Sequence, residues 1–357
     1  MQGGIKRKFY LNSLNLDDKL SLISNLLVML RSGLSITESL NVISEQSTSL
    51  LRHISLDIHQ SVLAGNSLAD SFLRHPKVFS KLFVSIIRAG EMSGSLEESL
   101  ENLTLQLEKE KEIREKVKSA MTYPVLVLSI SFILAISLSI FVLPKIVPIF
   151  SGLKVDLPAS TKALISFSTY VQEHQILFLI QTFGTVFFLL WLKSFSFVKE
   201  YTHFFVLLLP ITKTVSRYSN VSRFSRTMAS LLKSGISIDE SLLITAKTLN
   251  NIYYQKIVKE IALEISGGDK LSEAMSSYEK YFTKLSISML RVAEKSGQLE
   301  EILLNLAKIN ENKLETSVKR LSELIEPLLL IVVGLVVAWI AISIISPIYE
   351  ITGSVYN

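Results

Sequence analysis

Cysteine is absent from the 357 residues, which excludes disulfides, thiolate metal sites and cysteine nucleophiles. Histidine is scarce at five copies, and none stands in His-Glu-x-x-His or another ligand pair at helical spacing. A phosphate-binding loop is missing too, since Gly268-Asp269-Lys270 lacks the Gly-x-x-x-x-Gly-Lys-Ser/Thr spacing. Serine is abundant without any Gly-x-Ser-x-Gly elbow. No catalytic residue, cofactor site or metal ligand is therefore predicted. Charge is thin, at 19% against 48% hydrophobic residues, a balance that suits soluble parts joined to membrane-spanning ones. The net charge of +5 is what the positive-inside rule gives a membrane protein, so nucleic acid is not an expected partner. Lys6, Arg7 and Lys8 are followed by no apolar stretch of signal-peptide length, and the first domain is expected to stay unexported.

What the chain does contain is a repeat. Arg88-Ala89-Gly90-Glu91-Met92-Ser93-Gly94-Ser95-Leu96-Glu97-Glu98 reads as a helix end, a tight turn and a new helix opening on carboxylates. Arg291-Val292-Ala293-Glu294-Lys295-Ser296-Gly297-Gln298-Leu299-Glu300-Glu301 replays it 203 residues later. Leu30-Arg31-Ser32-Gly33-Leu34-Ser35-Ile36-Thr37-Glu38-Ser39-Leu40 returns as Leu232-Lys233-Ser234-Gly235-Ile236-Ser237-Ile238-Asp239-Glu240-Ser241-Leu242 at an offset of 202. Gly65 and Gly268 correspond at 203, as do Pro124 with Pro327 and Pro144 with Pro347. Copies that agree from helix turns to membrane prolines are one duplicated unit. Gly94 and Gly297, with Ser93 and Ser296, are read as structural corners, as are Ser32-Gly33 and Ser234-Gly235.

Apolar residues at helical spacing, such as Leu20, Ile23, Leu26, Leu27 and Leu30, make each copy an all-α bundle. Val125–Leu143 then gives 19 uncharged residues between Tyr123-Pro124 and Pro144. At ~1.5 Å per residue this approaches the ~30 Å of a hydrocarbon core. The expected layout is a tail over 1–16, a first helical bundle over 17–123, a transmembrane helix over 124–144 and an external loop over 145–175. A second transmembrane helix over 176–192 and an interfacial linker over 193–220 lead to the second bundle over 221–326. The third transmembrane helix covers 327–346, and an external tail covers 347–357.

The fifteen residues before the first span hold Lys109, Lys111, Arg114, Lys116 and Lys118, and the fifteen after it only Lys145 and Lys154. Both bundles are thus expected in the cytoplasm, with the C-terminus external. The unrepeated second span returns the chain so that the two units share an orientation. Ser131, Ala135 and Ser139 place small residues on one face of the first span, and Gly334 and Ala338 occupy the equivalent positions of Ser131 and Ala135 in the third. Such faces let helices pack closely. The glutamates Glu91, Glu97, Glu98, Glu294, Glu300 and Glu301 have three readings. They compensate helix dipoles at a first turn, they form a charged patch that docks a cytoplasmic partner, or they are carboxylates that a divalent cation bridges.

Leu30–Leu40, Gly90–Glu97, Tyr123-Pro124, Leu232–Leu242, Glu294–Glu300 and Pro327 resemble one family, the inner-membrane platform proteins of type II secretion and type IV pilus systems (the F-type protein). The second copy departs from the first with Ala293 for Gly90 and Glu326 for Tyr123. The resemblance implies two cytoplasmic six-helix bundles and three transmembrane helices in the bacterial inner membrane, with no enzymatic activity. It also implies contacts with a hexameric assembly ATPase, with pilin or pseudopilin transmembrane helices, with other inner-membrane assembly proteins and with further copies of the chain. A channel or transporter also uses duplicated helical units, but such proteins carry intramembrane ionisable groups, and these spans have none.

Overall fold

A computed structural model describes residues 14–47, 49–137, 141, 159–192, 196–208 and 210–355. Among the described residues every regular element is a helix. The first repeat holds α1 (Leu16–Arg31), α2 (Ile36–Gln46), α3 (Ser49–Leu63), α4 (Leu68–Leu73), α5 (Lys81–Ser93) and α6 (Leu96–Ser137). Between the repeats lie α7 (Ala159–Glu173), α8 (Gln175–Leu192) and α9 (Ser196–Leu208). The second repeat holds α10 (Pro210–Lys233), α11 (Ile238–Thr248), α12 (Ile252–Ser266), α13 (Leu271–Ser276), α14 (Lys284–Ser296) and α15 (Leu299–Val355).

Local chemistry sets the boundaries. Ser35 and Glu38 form a reciprocal capping box at α2, and the Ser35 N–H holds the Glu38 carboxyl below the usual carboxylate range. Ser80 caps α5, and its counterpart Thr283 caps α14. Left-handed glycines close the turns in matched pairs: Gly33 with Gly235, Gly65 with Gly268, and Gly94 with Gly297, all at positive φ. A side chain in that conformation crowds the following carbonyl.

One compact unit contains the described residues up to Lys116 together with Val206–Glu315. It holds both bundles, each with its own core. Leu26, Leu40, Ile58, Leu68, Phe72, Leu100 and Leu103 fill the first, and Met228, Leu242, Ile261, Leu271, Met275, Leu303 and Leu306 the second. These are position-for-position equivalents. Volume is redistributed where the copies differ. The first core stacks Phe72, Phe79 and Phe83 within 4.6–4.9 Å, where the second has Met275, Phe282 and Ser286. The lost bulk reappears at Phe224, 5.4 Å from Phe282, and at buried Tyr254, which donates to the Tyr281 carbonyl. Large-for-small exchange across facing positions keeps a core filled.

The other unit contains Val117–Phe205 and the residues from Thr316 onward. Here the boundaries expected at prolines fall inside continuous helices. Helix α6 runs through Pro124 without a break, and α15 runs through both Pro327 and Pro347 to Val355. Proline removes the hydrogen bond to the carbonyl four residues back. For Pro124 that carbonyl belongs to Ala120, and it accepts instead from Ser322 Oγ on α15 at 2.9 Å. The segment expected as a linker is helical as α9 and the start of α10, and part of the expected loop is α7. Pro144 and Ser139 lie outside the described residues. Tyr170 on α7 donates to the side-chain carbonyl of Gln181 in α8 at 2.8 Å. Among the described residues one helix, α6, has the length and apolar composition to cross a membrane. Its Leu126, Leu128, Ile130, Phe132, Ile133 and Leu134 are each at least 50% exposed.

Glycine chemistry makes two substitutions separable. Gly94→Ala forces a side chain into the left-handed region and should cost about 1 kcal/mol. Gly90→Ala places a Cβ 2.4 Å from Ser99 Oγ and 3.2 Å from the Leu96 Cα. It should cost about 1–3 kcal/mol through overpacking. Thermal melting of the full chain in detergent checks both, and an unchanged midpoint for Gly90→Ala would contradict the packing seen at this corner.

Candidate docking surface

The two acidic corners are built alike. Helix α5 ends on Gly94 and α14 on Gly297, and each long helix starts two residues later with a pair of glutamates. In the first corner Ser93 Oγ donates to the Ala89 carbonyl at 2.8 Å. Gly90 is buried against Ser99, whereas Ala293, its counterpart, is buried with its methyl in place.

The six glutamates divide by what they touch. Glu91 accepts from the backbone N–H groups of Leu68 and Ala69, at the start of α4. Glu294 accepts from the N–H and the hydroxyl of Ser272, at the start of α13. Both carboxylates thus satisfy orphan donors and meet the positive end of a short helix. They serve the interior of their bundles. Glu98 faces Lys233 at 3.5 Å. Glu97, Glu300 and Glu301 are exposed, and no ion pair involves them among the described residues. An open concavity of about 410 Å³ lies beside the latter pair, lined by Leu232, Ile238, Gly297, Gln298 and Leu299.

Helix α6 is flanked on two sides. Along α1, Arg31 pairs with Glu101 at 2.7 Å and Asp17 with Lys111 at 2.6 Å, so the helices run antiparallel. Along α10, Lys233 Nζ donates to Asn102 at 3.0 Å, and Arg223 lies 3.7 Å from Glu110. This second contact is also antiparallel, and it joins the two repeats. Lys116 reaches Glu315 of α15 at 2.6 Å. Beside it Arg226 makes a two-pronged pair with Glu311 at 2.6 and 2.7 Å, with side chains only 13% and 15% exposed. A 30 Å³ cavity at this point is lined by Gln106, Glu110, Arg223, Arg226 and Glu311.

The junction was not anticipated from sequence, although a signal existed. Arg31 pairs within its own bundle, but the counterpart of Glu101 is Leu304. Lys233 therefore has no carboxylate at the equivalent place and reaches into the other repeat. The small residues expected to pack lie elsewhere: Ser131 and Ala135 on α6, with Gly334 and Ala338 exposed on α15. Among the described residues no cluster of three or more His, Asp or Glu side chains is placed to hold a metal ion.

The class that the fold defines is a duplicated helical bundle whose copies each continue into a long helix with an apolar stretch. The family profile for type II secretion system (T2SS), protein F matches twice, over residues 22–144 and 224–347, with starts and ends at the repeat offsets of 202 and 203. A type IV pilus assembly protein PilC from Thermus thermophilus is 33% identical over 334 residues, covering 92% of this chain and 81% of that protein. A type II secretion system protein F from Aeromonas hydrophila is 32% identical, over 94% of this chain and 87% of its own length. The PilC of Pseudomonas aeruginosa is 29% identical, over 90% and 87%. The chain belongs to the type II secretion system protein F family.

The division among the glutamates is testable. Glu91→Ala strips two helix-end donors of a charged acceptor and should destabilise by about 1–3 kcal/mol. Glu97 is exposed and makes no ion pair among the described residues, so Glu97→Ala should stay within about 0.5 kcal/mol of the parent. Equal melting midpoints for the two variants would overturn the division.

Proposed function

We propose that the chain is a non-catalytic platform protein of the bacterial inner membrane, serving a type IV pilus or type II secretion machine. Both bundles lie in the cytoplasm, and 124–144, 176–192 and 327–346 cross the bilayer. The observation that carries this reading is the family match over both copies. The apolar exposure of α6 supports it, as does that of α15, where Leu328, Leu330, Ile331 and Leu335 are 61–68% exposed. In the bilayer such faces meet lipid or another helix, and in water they would aggregate.

In this reading the bundles engage a cytoplasmic assembly ATPase, and the spans receive pilin or pseudopilin transmembrane helices. The exposed carboxylates Glu97 and Glu300 are the proposed ATPase contacts, because neither makes an ion pair among the described residues. Reversing both to lysine should abolish co-purification of the cognate ATPase from detergent while leaving the melting midpoint in place. Undiminished co-purification would remove the acidic corners from the proposal.

The small faces Ser131–Ala135–Ser139 and Gly334–Ala338 are proposed to pack span against span. Leucine at both Ala135 and Ala338 fills the space that permits close approach. Cross-linking between the two spans should then fall, and an unchanged pattern would refute the packing.

A further inference from the structure

The contact between the two bundles is head-to-tail. The first bundle offers the corner of α5 and α6, and the second receives it on the hairpin of α10 and α11. Leu231 and Ile244 are counted in the first bundle's core, with Ile236 packed against it. Helix α5 touches both α10 and α11. Lys233 completes the contact by bonding Asn102 and facing Glu98. Different faces of two equivalent bundles are used. Each bundle consequently keeps, unoccupied by the other, the face that its counterpart employs: the α1/α2 hairpin on the first and the α14/α15 corner on the second.

These leftover faces carry the same recognition residues. At the repeat offsets Lys233 corresponds to Arg31, Glu98 to Glu301 and Asn102 to Asn305. Their exposure follows the difference in use. Leu82 is 9% exposed inside the contact and its counterpart Leu285 is 46% exposed; Ser230 is 9% exposed and its counterpart Val28 is 61% exposed. Asn102 is 8% exposed, whereas Asn305 lies open. The internal contact contains one unfavourable pair, Lys81 within hydrogen-bonding reach of Lys247. The Lys81 charge, followed by burial, holds the Lys247 ammonium below the usual lysine range. The counterparts of that pair are Lys284 and Glu45, so repulsion becomes attraction.

We propose that a second copy of this chain seats its α14/α15 corner on the α1/α2 hairpin of the first, repeating between chains the contact that joins the bundles within one. Arg31 then meets Glu301 and Asn305, Glu45 meets Lys284, and Val28 and Leu285 are covered. A contact between two different faces propagates, closing into a ring when its rotation allows and otherwise continuing as an open array. The inference deepens the self-association expected of a platform protein. It rests on the duplication and the internal contact, and not on ATPase binding.

The absence of cysteine makes the test direct. Full-length Val42→Cys and Leu285→Cys, carried on differently tagged copies, are mixed in detergent and treated with a short bismaleimide. Val42 is the counterpart of Ile244 and Leu285 that of Leu82, so the mixed product should form well above either same-site product. A control pair on exposed positions, Leu63→Cys with Leu263→Cys, should stay at background. Glu301→Arg should weaken the mixed product about tenfold, and Arg31→Glu on the partner copy should restore it. Because Arg31 also pairs with Glu101, the Glu301→Arg arm carries the test if the Arg31 variant fails to fold. No mixed product, same-site products of equal strength, or indifference to Glu301→Arg would overturn the proposal, whatever the ATPase assay shows.

Discussion

Helix α6 is the element on which the two repeats depend. Its first turns are packed by α1 through Arg31–Glu101 and Asp17–Lys111, and by α10 through Lys233–Asn102 and Arg223–Glu110. Farther along, the same helix sheds its charge and exposes leucine, isoleucine and phenylalanine. A helix buried on two sides in one stretch and apolar on its surface in the next must satisfy two solvents in one hydrogen-bonded rod. An apolar stretch suits a bilayer because a helix pairs its backbone groups internally, and the exception that the described residues show is the Ala120 carbonyl. The exception, created by Pro124, is filled by Ser322.

The two copies show how a duplicated fold drifts without losing its shape. Turn geometry tolerates no drift, since Gly33, Gly65 and Gly94 keep positive φ and so do Gly235, Gly268 and Gly297. Core volume does drift, with aromatic bulk moving from the α4/α5 side of the first bundle to the α10/α12 side of the second. Charge drifts furthest: replacing Glu101 by Leu304 in the second copy leaves Lys233 to pair across the junction.

The features legible in the sequence were the local ones. Tight glycine turns and apolar periodicity need only neighbours in the chain, and the structure has them. The duplication gave the bundle count for the same reason. Contacts between distant segments left weaker traces. Glu91 and Glu294 read equally well as surface acids, because nothing near them in sequence shows that α4 and α13 start beside them. Proline misled in the opposite direction. Pro124, Pro327 and Pro347 suggest helix ends, yet both long helices run through them, and at Pro124 the Ser322 hydroxyl donates to the carbonyl that the proline leaves orphaned.

The length of α15 has a mechanical corollary. Its 57 residues, at ~1.5 Å per residue, rise about 85 Å along the helix path. A helix of that length has no loop to absorb an angular change among the packed side chains of its bundle end, and a proline inside it, such as Pro327, is where a bend costs least.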